Sequence, residues 1–347
     1  MFTDRRENSL ESRRIKQHWP KDRDFKILSL DGGGIRGYFE AQTLKHIKEN
    51  LMADHETIGD FFDLIAGTST GGLIALCIGH SIDLNQVNSF YETEGKNIFS
   101  PPPLGKLGKI GRCIKHFRKP AFDSKTLEDV IKSILGDRSL GDATNRLVIP
   151  ACLMPKSEIA VFKTDHHPDY KNDWRSESWK IARATSAAPT YLQGLDDKES
   201  GKIFVDGGIW ANNPVMTAVV DALTAYDISV DQIKILSLGT GNPPFQLKLN
   251  AVSGGLFHWR EIIKASMFLT TDNATAQAKL LLGPSSVIRI EPSEPAANIE
   301  LDDYSAAMKL IPDEALLSFN NHKSSLAPFF QHKVASRERH YSKNPKF

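Results

Sequence analysis

One unit recurs along this chain and limits the folds open to it: a short apolar run, a glycine-bounded turn, and then a helical pattern. The unit begins at KILSL (26–30), at FFDLIAG (61–67) and at KIFVDGG (202–208), and IKILSLGTG (233–241) ends in the same way. Short apolar runs bounded by glycine are typical of buried strands. Strands that alternate with helices build a mostly parallel sheet covered on both faces. The sequence therefore predicts an α/β fold with a single three-layer domain.

This domain is expected to span residues 25–330, between a polar N-terminal segment (1–24) and a basic, polar C-terminal segment (331–347) that we expect to fray. Of the 347 residues, 40% are hydrophobic, which is enough for a sizeable core. No apolar run reaches the roughly 18 residues of a membrane-spanning helix. The first residues also lack the apolar stretch of a signal peptide. We therefore expect any contact with a membrane to be peripheral.

Charge and cysteine content narrow the function classes further. The formal net charge of +1 argues against a nucleic-acid polymer as partner, because such binding relies on a strongly positive surface. The three cysteines, Cys77, Cys113 and Cys152, are odd in number and far apart. This spacing predicts neither a disulfide framework nor a zinc site. We expect a reducing, cytoplasmic location.

The second unit contains GTSTG at 67–71, which matches the nucleophile-elbow pattern G-x-S-x-G. A serine on a sharp strand-to-helix turn needs small neighbours, here Gly67 and Gly71, and the turn presents its hydroxyl above the sheet. The N-terminus of the following helix favours negative charge at that place. Ser69 is therefore a candidate nucleophile, and the alternative is a purely structural Gly-Ser turn.

A nucleophilic serine needs a base, and no histidine here stands in a glycine-bounded turn after a strand. His322 and His332 stay open because they follow Asp206 in the order that a hydrolase triad uses. Asp206 is the other candidate, since it ends an apolar run just before Gly207 and Gly208. A carboxylate shielded from water can accept the serine proton, because desolvation raises its pKa. The alternative is an aspartate that only makes a turn.

The glycines of the first unit, Gly32, Gly33 and Gly34, place bare backbone amides ahead of a helix, an arrangement that binds anions. This stretch formally matches the dinucleotide-binding pattern, but no acidic residue follows at the end of a second strand. A P-loop is excluded because no Gly-Lys-Ser/Thr follows. The amides are therefore expected to form an oxyanion hole. Arg36 either adds positive charge there or pairs with Asp31.

Together these motifs resemble those of the patatin-like phospholipase family, which are a D-G-G-G-x-R/K-G loop, a G-x-S-x-G elbow and a D-G-G/A motif. They stand here in the same order, as DGGGIRG (31–37), GTSTG (67–71) and DGG (206–208). Further similar stretches extend the resemblance over about residues 25–245. The part of the chain beyond Gly241 matches only loosely.

The resemblance implies that Ser69 attacks a lipid acyl ester and that Asp206 is the base, in a dyad without histidine. The glycines at 32, 33 and 34 would form the oxyanion hole with support from Arg36, and no metal or cofactor is needed. The implied substrate is a membrane phospholipid, cleaved through an acyl-enzyme. Two alternatives stay open: a thioesterase or small-ester hydrolase with the same dyad, and a non-catalytic module that binds a nucleotide.

Two segments are candidates for contact with a membrane. PPPLGKLGKIGRCIKHFRKPAF (101–122) interleaves basic and apolar side chains, which fits a membrane-surface segment or a solvated loop. GGLFHWREIIKASMFL (254–269) is expected to pack into the core rather than to form a lid. The overall build also resembles bacterial patatin-like effectors of anti-phage systems, which implies a cyclic dinucleotide as activator. A homo-oligomer is a further arrangement that stays open.

Overall fold

The computed structural model describes residues 14–99, 122–189, 191–241 and 260–342. The basic segment, up to residue 121, lies outside these ranges, as do Cys113 and the first six residues of the segment 254–269. The remainder of that second segment belongs to a long helix.

One sheet contains eight strands. They are β1 Phe25–Leu30, β2 Leu64–Gly67, β3 Arg146–Met154, β4 Glu158–Lys163, β5 Leu195–Asp197, β6 Lys202–Asp206, β7 Ile233–Leu238 and β8 Val287–Ile290. The order is β5-β6-β3-β2-β1-β7-β8, with β4 also paired to β3. The pairs β3–β2, β2–β1, β1–β7 and β7–β8 are parallel, whereas β4, β5 and β6 run antiparallel to their neighbours. The prediction of a mostly parallel sheet is confirmed.

Strands β2 and β6 lie end to end on the same edge of β3. Val148 of β3 pairs with Ala66 of β2, and Ala151 of β3 pairs with Asp206 of β6. β4 occupies the opposite edge over this stretch. Because β2 is parallel and β6 antiparallel to β3, the two strands approach each other with their C-terminal ends. Ser69 follows the C-terminal end of β2, and Asp206 is the last residue of β6.

Helices cover both faces of the sheet. Those of the described part are α1 Gly37–Leu51, α2 Thr70–Gly79, α3 Leu84–Ser89, α4 Gly95–Phe99, α5 Ser124–Leu135, α6 Ser178–Thr185, α7 Gly208–Ala211, α8 Val215–Ala225, α9 Arg260–Leu282 and α10 Tyr304–Leu326. Along β1, Phe25 and Ile27 pack into a core with α8 and α9, whereas Leu28 and Leu30 pack into a second core with α1, α2 and α10. A strand buried on both faces needs a continuous apolar sequence. The predicted three-layer domain is confirmed.

The described parts of both terminal segments pack against the domain. Trp19 is buried, and its ring lies 4.7 Å from that of Phe25, centroid to centroid. Near the other end, the buried Arg337 donates from Nη1 to Asp165 Oδ1 (2.7 Å), and the amide of Ser342 donates to Asp165 Oδ2 (2.6 Å). These bonds anchor the C-terminal segment, so the expectation that it frays is wrong as far as Ser342.

None of the helices in the described ranges is long and apolar enough to cross a membrane. The same ranges contain no group of three or more histidine, cysteine and acidic side chains arranged to bind a metal ion. Cys77 and Cys152 are free thiols and are buried.

Candidate active site

Ser69 lies in the sharp turn between β2 and α2, with φ 55° and ψ −120°. Residues with a side chain rarely adopt positive φ, and when they do so the strain is often part of a functional site. The turn also brings the start of α2 against the end of β1, where a methyl group on Gly71 would lie 2.5 Å from the carbonyl oxygens of Leu30 and Asp31. A methyl group on Gly67 would overlap the carbonyl of Gly71. Both flanking glycines are required by this close approach.

The backbone of the turn is held by Thr185, the last residue of α6. The amide of Ser69 donates to Thr185 Oγ1 (2.9 Å), and this hydroxyl donates to the carbonyl of Pro150 in β3 (2.6 Å). Thr185 is completely buried. Its hydroxyl therefore ties the strained turn to the neighbouring strand. Sequence analysis missed this role, because Thr185 lies far from the elbow in the chain and belongs to no catalytic motif.

Ser69 and Asp206 are in direct contact. Ser69 Oγ donates to Asp206 Oδ2 at 2.7 Å, and Asp206 Oδ1 accepts from the amide of Gly208 at 2.7 Å. The carboxylate is thus oriented, with one oxygen held by backbone and the other directed at the serine. A methyl group on Gly207 would overlap the carbonyl of Pro150, so the strand end also needs its glycine.

Burial raises the pKa of Asp206 to about 6, although the hydrogen bonds from Gly208 and Ser69 oppose the rise. A carboxyl group with such a pKa is mostly ionised at neutral pH and still accepts a proton more readily than an exposed aspartate. The neighbouring start of α2 adds a potential that favours negative charge on substrate atoms. The pair can therefore act as nucleophile and base.

Neither histidine left open as a base contacts this pair in the described part of the chain. His322 lies on α10, and its Nδ1 bonds to the carbonyl of Ser318 in the same helix (2.8 Å). The carbonyl of His332 accepts from Lys26 Nζ (3.0 Å) at the N-terminal end of β1, the opposite end from the glycine loop. The alternative of a Ser-Asp-His triad is therefore wrong.

The glycine loop after β1 lies beside the elbow. Its amides differ in availability, because Gly32 donates to the carbonyl of Asn212 (2.9 Å). The expectation that this amide serves an oxyanion is not met. The amides of Gly33 and Gly34, by contrast, have no acceptor among the described residues, and Gly34 has φ 58°, a conformation that favours glycine. The donors left for an oxyanion are those of Gly33 and Gly34.

Arg36 hydrogen-bonds to two backbone carbonyls that lie outside the glycine loop. Its Nη1 donates to the carbonyls of Gly241 (3.1 Å) and Ala297 (3.3 Å), and burial lowers its pKa. The alternative in which Arg36 pairs with Asp31 is wrong, since the ionic partner of Asp31 is Arg289. Arg36 thereby connects the loop to the C-terminal part of the chain.

Arg289, at the end of β8, binds both carboxylate oxygens of Asp31, with Nη1 2.9 Å from Oδ1 and Nη2 2.6 Å from Oδ2. It also donates to Ser237 Oγ (2.7 Å) and pairs with Glu291. Burial raises the pKa of Asp31 to about 7 against the opposing charge of Arg289. Sequence analysis missed Arg289, because it lies beyond the motifs and far along the chain from the residue that it binds.

We expect Arg289→Met to lower the free energy of unfolding by about 3–5 kcal/mol, because the buried carboxylate of Asp31 loses its counter-charge. Arg289→Lys should fall between this variant and the wild type, since an ammonium cannot bind both oxygens as a guanidinium does. Urea unfolding provides the measurement. The exposed Lys198, changed to Met, serves as control and should alter stability by less than about 0.5 kcal/mol. Wild-type stability in Arg289→Met would contradict this role.

Comparison with known proteins gives matches over most of the chain. The sequence model of a family described as "Patatin-like phospholipase" matches residues 28–219, which is more than half of it. A "cGAMP-activated phospholipase" of Escherichia coli (strain TW11681) is 32% identical over 304 residues, covering 84% of this chain and 81% of the relative. A protein of the same name from Vibrio cholerae is 30% identical over 308 residues, covering 81% and 86%. "Patatin-like protein 2" of Arabidopsis thaliana is 31% identical over 283 residues, covering 72% and 66%.

Proposed function

Because the chain belongs to the patatin-like phospholipase family, we propose that it hydrolyses the acyl esters of membrane phospholipids through a dyad of Ser69 and Asp206. The observation that carries the proposal is the 2.7 Å hydrogen bond from Ser69 Oγ to the oriented carboxylate of Asp206. A serine hydroxyl is a weak nucleophile unless a base lies within hydrogen-bond reach. The buried carboxylate supplies that base.

In the acylation half, Ser69 Oγ attacks the ester carbonyl carbon while its proton passes to Asp206 Oδ2. The carbonyl oxygen becomes an alkoxide, which accepts hydrogen bonds from the amides of Gly33 and Gly34, neither of which has an acceptor among the described residues. The tetrahedral intermediate then collapses, and the bond between the acyl carbon and the leaving oxygen breaks. Asp206 returns the proton to that oxygen, which leaves an acyl group on Ser69 and an ionised carboxylate.

In the deacylation half, water attacks the acyl carbon and transfers one proton to Asp206. A second alkoxide forms at the same amides, and its collapse breaks the bond from the acyl carbon to Ser69 Oγ. The serine oxygen takes the proton back from Asp206, and a free fatty acid departs. Each half begins and ends with an ionised Asp206, which is why a pKa near 6 suits the working pH.

Exposed apolar side chains on α7, the helix that follows Asp206, and on α9, which packs against it, support action at a bilayer surface. Ile209 on α7, three residues after Asp206, is 37% exposed, and Leu269 on α9 is 62% exposed. α9 packs against α7. Side chains of this type insert into the boundary between head groups and acyl chains. We infer that the protein works from the cytoplasm as a peripheral enzyme.

Activation by a cyclic dinucleotide is the regulatory part of the proposal. It is supported by the two bacterial relatives named cGAMP-activated phospholipases, which align with more than four-fifths of this chain. An enzyme that degrades its own cell's membrane must be held inactive until a signal arrives. cGAMP is therefore the first activator to test.

The test uses the purified chain with phospholipid vesicles, with soluble short-chain esters and with acyl thioesters, each with and without cGAMP. We expect fatty acid to be released from vesicles and the rate to rise with cGAMP, while an unrelated mononucleotide has no effect. Hydrolysis of soluble esters or thioesters alone would instead favour the small-ester or thioesterase alternative. Nucleotide binding without any hydrolysis would favour the non-catalytic module.

A further inference from the structure

Asn212, the residue after α7, contacts the glycine loop twice. Its backbone carbonyl accepts from the amide of Gly32. Its side-chain oxygen lies next to the same glycine, because a methyl group on Gly32 would be 2.6 Å from Asn212 Oδ1 and 3.2 Å from Ser69 Cβ. The carboxamide of Asn212 thus lies close to both Gly32 and Ser69, and Asn212 is only 7% exposed.

One half of this carboxamide is paired and the other is not. Nδ2 donates to Thr271 Oγ1 on α9 (3.1 Å), and Thr271 is buried. Oδ1 is buried and has no hydrogen-bond partner among the described residues. Buried polar atoms are nearly always paired, so an orphan one beside a reacting group calls for an explanation. A group that comes with the substrate can supply the missing partner of this carboxamide.

A hydroxyl group both donates and accepts, so the carboxamide can turn over by 180° and keep its bond to Thr271. In the turned orientation Thr271 Oγ1 donates to Asn212 Oδ1, and the amide –NH₂ faces Gly32 and Ser69. After this rotation, Oδ1 is paired with Thr271, and Nδ2 is paired with the alkoxide once that alkoxide has formed at the carbon that Ser69 attacks. An oxygen directed at the same alkoxide would repel it.

We propose that the side chain of Asn212 is a third donor to the oxyanion and that Thr271 orients it. The backbone carbonyl of Asn212 accepts the hydrogen bond of the Gly32 amide, so that amide cannot bind the oxyanion. The side chain of Asn212 supplies a donor in place of that amide. This inference rests on the proposed function, because the alkoxide arises from attack by Ser69. Asn212 is a catalytic residue in this scheme, whereas Thr271 is a positioning residue and lies beyond the range that the family model matches.

The test measures acylation separately from turnover. A fluorophosphonate probe reports acylation-like attack by Ser69, and the burst with a chromogenic ester reports acylation before deacylation. We expect Asn212→Ala and Asn212→Asp each to slow both acylation rates by about 10²- to 10³-fold, the typical effect of losing one oxyanion donor, with KM nearly unchanged. Thr271→Val should slow them about tenfold through the loss of one hydrogen bond, and Thr271→Ser should restore the wild-type rates.

Thr275, one helical turn further along α9, provides a matched control. Its Oγ1 accepts from Asn213 Nδ2 (3.0 Å) and donates to the backbone carbonyl of Thr271 (3.2 Å). Thr275→Val thus removes a hydroxyl that has no hydrogen bond to Asn212 or Ser69 among the described residues, and it should leave the acylation rates unchanged. Should the Asn212 variants fail to fold, the comparison of Thr271→Val with Thr271→Ser decides, and equal rates in those two would overturn the proposal.

Two further outcomes are diagnostic. In the first, folded Asn212→Ala acylates at the wild-type rate but deacylates more slowly, whereas Asn212→Asp deacylates normally. This result would mean that Oδ1 orients the hydrolytic water, and it would overturn the proposal. Absence of labelling at Ser69 in the wild type would instead refute the proposed function, and so the two failures are distinguishable. Parallel slowing of labelling and burst in Asn212→Ala and Asn212→Asp is the result that supports a third donor.

Discussion

Ser69→Ala is expected to abolish phospholipid hydrolysis, with a loss of about 10⁴-fold or more, because it removes the hydroxyl on which the acyl-enzyme forms. The measurement is fatty-acid release from vesicles under activating conditions. Since Ser69 is half-buried and its Oγ has one side-chain partner in the structure, the variant should fold normally. Turnover above about 1% of wild type would contradict the role of Ser69.

Ser69→Gly offers a matched companion to this variant. It removes the hydroxyl as Ser69→Ala does, and it also relieves the positive φ of 55° at this turn. We expect both variants to be inactive and Ser69→Gly to be the more stable in thermal unfolding, by about 1 kcal/mol. Equal stability of the two variants would mean that the elbow stores no such strain.

Asp206→Asn is expected to reduce turnover by about 10⁴-fold, the order of loss seen when the acidic member of a hydrolytic site becomes an amide. The amide keeps the shape of the side chain and can still accept from Gly208, but it cannot take a proton from Ser69. Steady-state hydrolysis of a soluble ester measures the effect. The exposed Asp196, changed to Asn, serves as control and should retain full activity.

The pH dependence of the wild type tests the same role. Only the ionised carboxylate can act as base, so kcat/KM should fall below a pH of about 6, the pKa to which burial raises Asp206. A flat profile down to pH 4.5 would contradict Asp206 as the base. The residual activity of Asp206→Asn should lack this acid limb.

The raised pKa of Asp206 also has a consequence for stability. Its folded-state value, about 6, lies above the ordinary 3.8, so ionisation disfavours the folded state. This cost is absent below about pH 4, grows as the pH rises, and is complete above pH 6, where it reaches about 3 kcal/mol. Asp206→Asn should therefore be more stable than the wild type at pH 8 and about equally stable at pH 4. The opposite order would contradict the burial of an ionised base.

The proposed catalytic pair could be predicted from the sequence because Ser69 and Asp206 each lie in a local pattern that has a mechanical reason. Gly71 is required by the close approach of β1 to α2, and Gly67 by the approach of the Gly71 carbonyl. The glycine after Asp206 is required by the approach of Pro150. The way in which the two residues meet could not be predicted. A parallel sheet alone does not place β6 end to end with β2, and this register arises from the antiparallel pairing of β6 with β3.

Residues that support the site from distant parts of the chain could not be predicted either. Thr185 holds the elbow and Arg289 holds the glycine loop, and both act across a tertiary contact that leaves no local pattern. It could not be predicted either that the Gly32 amide donates to the backbone carbonyl of Asn212, because that contact also joins distant parts of the chain. Burial of Arg337 against Asp165 shows the same limit, because a basic and polar segment reads as solvated until its buried partner is known.

Peptide mass mapping after reaction with a fluorophosphonate shows directly whether Ser69 is the nucleophile. We predict one phosphonate per chain in the wild type, on the peptide that contains Ser69 and on that residue. Ser69→Ala should carry none, and Asp206→Asn should be labelled far more slowly. An adduct on another residue of the wild type, or equal labelling of Ser69→Ala, would contradict the account.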